Sequence, residues 1–215
     1  MSEQAMNDEH QVSLTVSTAA EMRALGRSLA TVLRAGDLVI LSGGLGAGKT
    51  TLTQGIGAGL GVRGPVTSPT FVIARVHPPV MATAGKGGPG GPGGLEPAIA
   101  DLAAPRPALV HADAYRLGSA IELDDLDLDT DTASSVTVVE WGEGMAEGLA
   151  ADRLEIAIVA GPLGPPGGPD AGSSAGQAGE IADPAVDMPR TVRISMVGAR
   201  WEGVELPLAD LADRL

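Results

Sequence analysis

The chain has 215 residues, no cysteine, and 27 acidic against 14 basic residues, which gives a net charge of −13. The length fits one domain, and the lack of cysteine excludes disulfides, zinc ribbons and thiol catalysis. The negative charge disfavours autonomous tight binding to nucleic acid, because both would be polyanions. The acidic first ten residues do not resemble a signal peptide, and no apolar run approaches the ~18 residues of a membrane helix. We therefore expect a cytoplasmic protein.

Glycine and proline, 31 and 16 residues in all, are unevenly distributed. Most of them lie in two segments, 78–107 and 161–189. This composition is typical of flexible insertions without a core of their own. We therefore predict a single domain over residues 1–215, interrupted by these two insertions.

Strand-like and helix-like segments alternate along the rest of the chain. Val12–Val16 predicts a strand, and Ser17 or Thr18 is the expected N-cap of a helix that ends at Gly36. The apolar run LVIL at residues 38–41 predicts a buried strand, and Thr50–Leu60 predicts a second helix. Further strands are predicted at Phe71–Val76, Ala108–Ala112, Val136–Val139, Leu154–Val159 and Thr191–Val197.

This alternation predicts an α/β fold with a central, mostly parallel sheet flanked by helices and with antiparallel C-terminal strands. The second insertion would then be the tip of a hairpin. Ser119 and Glu122 have the spacing of a capping box and predict a short helix. Six carboxylates between Glu122 and Asp131 fit either a solvated helix-and-turn face or a docking surface for a basic partner.

A phosphate-binding loop is predicted by GGLGAGKT at residues 43–50, which fits G-x-x-x-x-G-K-[ST] and lies between an apolar strand and a helix. Its glycines let backbone N–H groups surround a phosphate, and the helix N-terminus adds the positive end of its dipole. Lys49 would neutralise the β and γ oxygens, and the Thr50 hydroxyl would ligate Mg²⁺. The pattern indicates a P-loop NTPase fold. Because Lys49 and Lys86 are the only lysines, an incidental glycine turn is a poor alternative.

ATP is favoured over GTP, because guanine-specific members use an Asn-Lys-x-Asp loop and the only asparagine is Asn7. A P-loop ATPase also needs a carboxylate at the end of a neighbouring strand. Glu140 is the best placed candidate and Asp113 the second. Three of the four aromatic residues lie close to these positions, which suggests that Phe71, Tyr115 and Trp141 share a site.

Three further motifs follow GGLGAGKTT in order: TSPTF at 67–71, HADAYRL at 111–117 and VVEWGE at 138–143. Together they resemble the TsaE (YjeE) family, the P-loop ATPases of bacterial tRNA threonylcarbamoyladenosine (t6A) biosynthesis. The resemblance covers roughly Val16 to Val159 without the first insertion, with weaker support from Arg190 to Ile194. One departure is Gly44, where members of the family commonly have aspartate.

The resemblance implies a role for each matching residue. Asp113, Glu140 and Lys49 would act in hydrolysis, and Thr50 and Glu140 would hold Mg²⁺. Ser68, Pro69 and Thr70 match a switch-like loop. The implied nucleotide-binding residues are Thr18, Gly44, Leu45, Gly46, Ala47, Gly48, Lys49, Thr50, Thr51, Trp141 and Arg190.

The resemblance also implies protein partners, the TsaB and TsaD subunits of the t6A transferase. One subunit of that heterodimer transfers threonylcarbamoyl to adenosine 37 of tRNAs that read codons starting with A, and ATP hydrolysis resets the assembly. The residues show no obvious arginine finger; Arg116 or a partner's arginine are the options. A P-loop small-molecule kinase and a nucleotide-binding scaffold without hydrolysis are the alternative functions, although the chain lacks the arginine-rich lid that such kinases usually close over the phosphates.

Overall fold

A computed structural model of the protein describes residues 11–69, 72–80, 106–117, 119, 122, 134–161 and 188–208. Seven strands and two α-helices occur in these ranges: β1 (Gln11–Val16), α1 (Ala19–Ala30), β2 (Leu38–Gly43), α2 (Lys49–Leu60), β3 (Ala74–His77), β4 (Ala108–Asp113), β5 (Ser135–Glu140), β6 (Arg153–Ala160) and β7 (Arg190–Val197). Neither α-helix within these ranges has the length and apolar character needed to cross a bilayer.

The seven strands form one sheet in the order β1-β7-β6-β2-β5-β4-β3. The central strands β6, β2, β5 and β4 are parallel to one another. The β1–β7, β7–β6 and β4–β3 pairs are antiparallel. The α/β prediction and the antiparallel C-terminal strands are confirmed, but the sheet as a whole is mixed rather than mostly parallel. The alternation of elements in the sequence does not reveal the direction of the edge strands β1 and β3.

Helix α1 starts where its capping residues predict. The Thr18 side chain accepts a hydrogen bond from the N–H of Glu21 at 3.1 Å, and the Glu21 carboxylate accepts one from the N–H of Thr18. The predicted C-terminus at Gly36 is wrong, because the helix ends at Ala30. Leu33 is still buried in the turn that follows. Apolar spacing therefore continues past the helix and makes it look longer than it is.

Glycines let α1 and α2 pack with their backbones in close contact. A Cβ placed on Gly26 would lie 2.7 Å from the Ile56 nitrogen and closer still to the Leu52 carbonyl oxygen. Gly55 faces the backbone of Arg23 in the same way. Since real Cβ atoms do not approach backbone atoms this closely, neither position has room for a larger residue.

The two faces of the sheet carry separate clusters of buried apolar residues. The larger cluster lies between the sheet and the two helices and includes Leu25, Leu52, Leu109 and Val138. On the other face, β2, β4 and β5 pack against the segment after β5, including Ala146. In the described part of the chain, both α-helices lie on the first face. They therefore cover the face on which the carboxyl-end side chains of β4 and β5 lie.

The strand predicted at Phe71–Val76 begins later, at Ala74. The N–H groups of Val72 and Ile73 both donate to the Pro69 carbonyl oxygen, at 2.8 and 2.7 Å, so the chain turns here. Ile73 has a φ of +67°, which is unfavourable for a β-branched residue. Thr70 and Phe71 lie outside the described residues.

The two predicted insertions lie between antiparallel strands. β6 and β7 form the expected hairpin, closed by the Ala160–Arg190 pair, and residues 162–187 lie outside the described residues. Most of the first insertion is also outside them, as is the acidic run after Glu122. The capping hydrogen bond from the Glu122 N–H to the Ser119 hydroxyl is present at 3.4 Å.

We predict that Gly26→Ala destabilises the protein by about 1–3 kcal/mol, because the added methyl group overpacks the helix crossing and outweighs the gain in helix propensity. Urea denaturation measures the change. Gly148→Ala is the matched control, since no atom of the residues that the structure describes lies within 4 Å of a Cβ added to Gly148. Gly148→Ala should be neutral or stabilising by up to about 1 kcal/mol. A Gly26→Ala protein as stable as wild type would contradict this account of the crossing.

Candidate functional site

The glycine loop, residues 43–48, joins the end of β2 to the start of α2. Gly43, Gly46 and Gly48 have φ values of 138°, 74° and 110°, which L side chains rarely adopt. Gly48 is the N-cap of α2 and makes no side-chain capping hydrogen bond. The N–H groups of the first helical turn therefore face the loop, an arrangement suited to an anion.

A cavity of about 300 Å³ lies at this loop. Leu45, Gly46, Ala47, Gly48, Lys49, Thr50, Thr51, Asp113, Glu140, Trp141 and Arg190 line it, together with Ala19, Met22 and Ser68. The structure thus brings together nearly all of the site residues predicted from the sequence. Gly44 and Thr18 are not among the lining residues. Gly44 borders the site through its carbonyl, and Thr18 uses its hydroxyl to cap α1.

Lys49 is buried at the start of α2, with 4% of its surface exposed. Its Nζ donates hydrogen bonds to the carbonyl oxygens of Gly43 at 2.7 Å and Gly44 at 2.9 Å. Burial lowers the pKa of Lys49 below its usual value, whereas the negative charges of Glu140 and Asp113 act in the opposite direction. The loop therefore holds one cationic side chain inside the cavity.

Trp141 follows β5 and lies over this lysine. The Lys49 Nζ is 3.5 Å from the centroid of the Trp141 ring, a cation–π contact. Trp141 has a φ of +60°, and its N–H donates to the Leu41 carbonyl oxygen at 2.8 Å. Tyr115 packs against the same ring, with centroids 5.0 Å apart. Two of the three aromatic residues predicted to share a site therefore meet; the third, Phe71, is outside the described residues.

Thr50 and Glu140 present oxygen atoms to each other across the cavity. The Thr50 Oγ1 donates to Glu140 Oε2 at 3.0 Å, although the two residues are 90 positions apart. Glu140 is only 3% exposed. Among the described residues there is no group of three or more His, Cys, Asp or Glu that could bind a metal. Two protein oxygens suit Mg²⁺, which usually keeps several waters and takes its other ligands from phosphate.

Asp113 ends β4, next to Glu140 in the register of the parallel pair. Its Oδ1 accepts a hydrogen bond from the Tyr115 N–H at 3.0 Å, and its Oδ2 accepts one from the Ser68 hydroxyl at 3.3 Å. The carboxylate therefore joins the cavity to the segment that begins the predicted switch-like loop. Pro69 of that loop is buried, and Thr70 is outside the described residues.

Arg190 lines the cavity from β7, which lies on the opposite side of β2 from β5 and β4 in the strand order. It is the first residue of β7, paired with Val16 of β1 and Ala160 of β6. Only 6% of its surface is exposed, and its Nη1 donates to the Met188 carbonyl oxygen at 2.9 Å. Arg116, the other arginine considered, is exposed and does not line the cavity.

His111 is a site residue that the sequence reasoning missed. Its Nε2 lies 2.8 Å from Glu140 Oε1, and the ring is completely buried. The signal was present in HADAYRL, because a histidine two positions before Asp113 in a strand lies on the same face as Asp113. Met22 and Ala19 of α1 line the cavity, whereas His111 does not, and their sequence gave no chemical signal.

Comparisons with known proteins agree with the motif-based resemblance. Residues 16–84 and 99–162 match the sequence model of the family described as "Threonylcarbamoyl adenosine biosynthesis protein TsaE". The gap in this match lies within the first predicted insertion, and the match ends as the second begins. Arg190 lies beyond the matched residues.

Curated relatives carry the name tRNA threonylcarbamoyladenosine biosynthesis protein TsaE. The relative from Streptomyces coelicolor is 57% identical over 138 residues, which is 64% of this chain and 78% of the relative. The one from Mycobacterium leprae is 46% identical over 141 residues, covering 63% and 74%. The one from Bacillus subtilis is 34% identical over 139 residues, covering 64% and 71%.

A solved structure, the crystal structure of Bacillus subtilis YdiB, shares the fold. It has a TM-score of 0.54 and 24% sequence identity, and the alignment covers 95% of each chain. The family match covers more than half of the chain and includes the glycine loop, Asp113 and Glu140. The chain therefore belongs to the TsaE family and has a role in t6A biosynthesis, as its motifs predicted.

Proposed function

We propose that this protein has a P-loop NTPase fold and is an Mg²⁺-dependent ATPase subunit required for threonylcarbamoylation of adenosine 37 in tRNAs that read codons starting with A. It would act on the TsaB–TsaD heterodimer by binding and hydrolysing ATP. The observation that carries the proposal is the placement of the Thr50 hydroxyl 3.0 Å from the Glu140 carboxylate, beside Lys49 in the same cavity. Family membership supports the assignment to t6A biosynthesis.

The glycine loop would hold the phosphates of ATP. Backbone N–H groups at the start of α2 would donate to phosphate oxygens, in line with the helix dipole. Lys49 would exchange its carbonyl partners, Gly43 and Gly44, for the β and γ oxygens. The cost of burying its charge would then be offset by a full negative charge rather than by carbonyl dipoles.

Thr50 and Glu140 would hold Mg²⁺, with the remaining ligands supplied by phosphate and water. When bound, the ion neutralises charge that develops on the β and γ oxygens. Asp113 would order the attacking water or couple the Ser68 segment to the γ-phosphate. Its carboxylate is already bonded to the Ser68 hydroxyl and to the N–H of Tyr115, which supports either role.

Arg190 would border the nucleotide as the second cation of the cavity, and Trp141 would pack beside Lys49. No other described lysine or arginine lines the cavity. An arginine supplied by a partner therefore remains the simplest source of further charge stabilisation, and hydrolysis by the isolated protein would be slow. A net charge of −13 favours protein partners over direct contact with tRNA.

The second prediction concerns phosphate binding. Lys49→Ala and Thr50→Ala should each weaken Mg·ATP binding by about 10–100-fold, because a hydrogen bond to a charged group is worth roughly 1.5–3 kcal/mol. Isothermal titration calorimetry measures the affinity. Lys86→Ala removes the only other lysine and should bind ATP as wild type does. Unchanged affinity in both Lys49→Ala and Thr50→Ala would remove the nucleotide from this loop.

The third prediction concerns the metal. Glu140→Gln should lower Mg²⁺-dependent hydrolysis by at least about 10–100-fold. Mutation of a residue that only supports a metal ligand typically causes a loss of this size, and loss of the ligand itself should cost no less. Phosphate release over a Mg²⁺ titration measures it, with the exposed Glu205→Gln as the control for the same change of charge. Full turnover by Glu140→Gln would show that the carboxylate does not hold the ion.

The fourth prediction concerns the partners. ATP hydrolysis should be slow in the isolated protein and rise on addition of TsaB and TsaD, and tRNA from cells depleted of this protein should lose t6A. A phosphate-release assay and nucleoside analysis by mass spectrometry provide the two measurements. No stimulation together with normal t6A would overturn the proposed function. Stoichiometric phosphorylation of a metabolite would favour the kinase instead.

A further inference from the structure

We propose that His111 is a positioning residue that fixes the carboxylate of Glu140 for Mg²⁺ binding. The proposal rests on the function proposed above, since it concerns the metal of the same site. His111 does not line the cavity and would touch neither ATP nor the ion. Its effect would pass through Glu140 alone.

The hydrogen bonds of Glu140 divide its two oxygens between different partners. Oε1 lies 2.8 Å from His111 Nε2, and Oε2 lies 3.0 Å from the Thr50 hydroxyl. The first partner is in the core, and the second lines the cavity. Oε1 is therefore bonded to a side chain of the core, and Oε2 is the oxygen that faces the phosphate-binding loop.

The register of the sheet places the histidine where it can do this. In the parallel β4–β5 pair, His111 is opposite Val138 and Asp113 is opposite Glu140. Alternate residues of a strand share a face, so His111 and Glu140 both lie on the helix-covered face. They are offset by two residue positions along the paired strands. Shifting either strand by one residue would move its side chain to the other face.

The hydrogen bond assigns the tautomer of His111. An ionised carboxylate can only accept, so we assign the proton to Nε2, which donates to Oε1. The other ring nitrogen, Nδ1, is buried and has no hydrogen-bond partner among the described residues. Within that part of the chain, the one polar contact of the ring is therefore with Glu140. Packing alone would be served equally well by an apolar residue of similar size.

The hydrogen bond restricts rotation of the carboxylate before any ion arrives. Without it, Glu140 could turn about its side-chain torsions and would lose conformational freedom on binding the metal. Loss of such an outer-sphere partner usually costs about 10–100-fold in metal affinity. We therefore expect His111 to contribute to the affinity for the ion and not to the affinity for metal-free nucleotide.

The test measures Mn²⁺ binding to the ADP complex by electron paramagnetic resonance, with Mn²⁺ as a spectroscopic substitute for Mg²⁺. His111→Leu should weaken Mn²⁺ affinity by about 10–100-fold. His111→Gln should restore it, because its amide nitrogen can reach the position of Nε2. ADP affinity without metal should stay at the wild-type value in both variants. These comparisons distinguish positioning from a general loss of structure.

His77→Leu is the matched control. His77 is also buried on the helix-covered face, because it pairs with Leu109 two positions from His111 in β4. It has no hydrogen bond to Glu140, and its Nε2 has no partner in the described ranges. Mn²⁺ affinity should therefore be unchanged in His77→Leu. An equal loss in His77→Leu and His111→Leu would overturn the proposal in favour of core packing.

A double-mutant cycle with Glu140→Gln tests whether the effect passes through the carboxylate. His111→Leu should cause little further loss of Mn²⁺ affinity once Glu140 is altered; additive losses would overturn the proposal. If leucine prevents folding, His111→Asn replaces it, since its shorter amide reaches only the position of Nδ1; equal affinity of the Asn and Gln variants would then overturn the proposal.

Failure of the inference can be told from failure of the proposed function. If the wild-type ADP complex binds Mn²⁺ and His111→Leu binds it equally well, only the positioning role is lost. If the wild-type complex binds no Mn²⁺, the metal site itself is wrong, and both proposals fall.

Discussion

The parallel pairing of β2, β5 and β4 is the constraint on which the site depends. It aligns the carboxyl ends of three strands that are far apart in sequence, so Gly43, Glu140 and Asp113 meet at one edge. The backbone hydrogen bonds of the sheet fix this edge, and α2 starts directly beside it. The backbone pairing of the sheet thereby holds two carboxylates close to the positive end of a helix dipole, and no side-chain contact is needed for this placement.

Features of the fold that are encoded locally could be predicted from the sequence. Thr18, one of the two expected N-caps, precedes α1, and α2 ends at Leu60 as predicted; short-range hydrogen bonds and the left-handed Gly61 mark these ends. Features decided by tertiary contacts could not be predicted. Leu33 continues the helical spacing because it is buried, although it is no longer helical. Ile73 adopts an unfavourable φ within a turn whose N–H groups bond to the Pro69 carbonyl.

In the candidate site, too, some features are encoded locally and could be predicted, whereas others depend on tertiary contacts and could not. Its residue types and their order predicted a glycine loop with two carboxylates beside it, because phosphate and metal chemistry restricts which side chains can serve, and the structure places the loop and both carboxylates at one cavity. Contacts between side chains could not be predicted from the sequence. The Lys49–Trp141 contact depends on the left-handed φ of Trp141, and the position of Arg190 at the cavity depends on the register of β7 with β1 and β6. His111 was overlooked because a buried histidine in a strand usually signals packing rather than chemistry.

The charge distribution of this acidic chain is compatible with the proposed binding of a polyanion, the nucleotide. The sequence from Leu38 to Leu95, which contains the glycine loop and α2, has no aspartate or glutamate. Of the acidic residues described, only Asp113 and Glu140 line the cavity, and both arrive through the fold. Their charges would repel phosphate if left alone, but the divalent ion that we propose Glu140 holds would convert that repulsion into attraction. If the proposed function holds, metal and nucleotide would each strengthen the binding of the other to this cavity, and the acid-rich remainder of the chain would repel other polyanions.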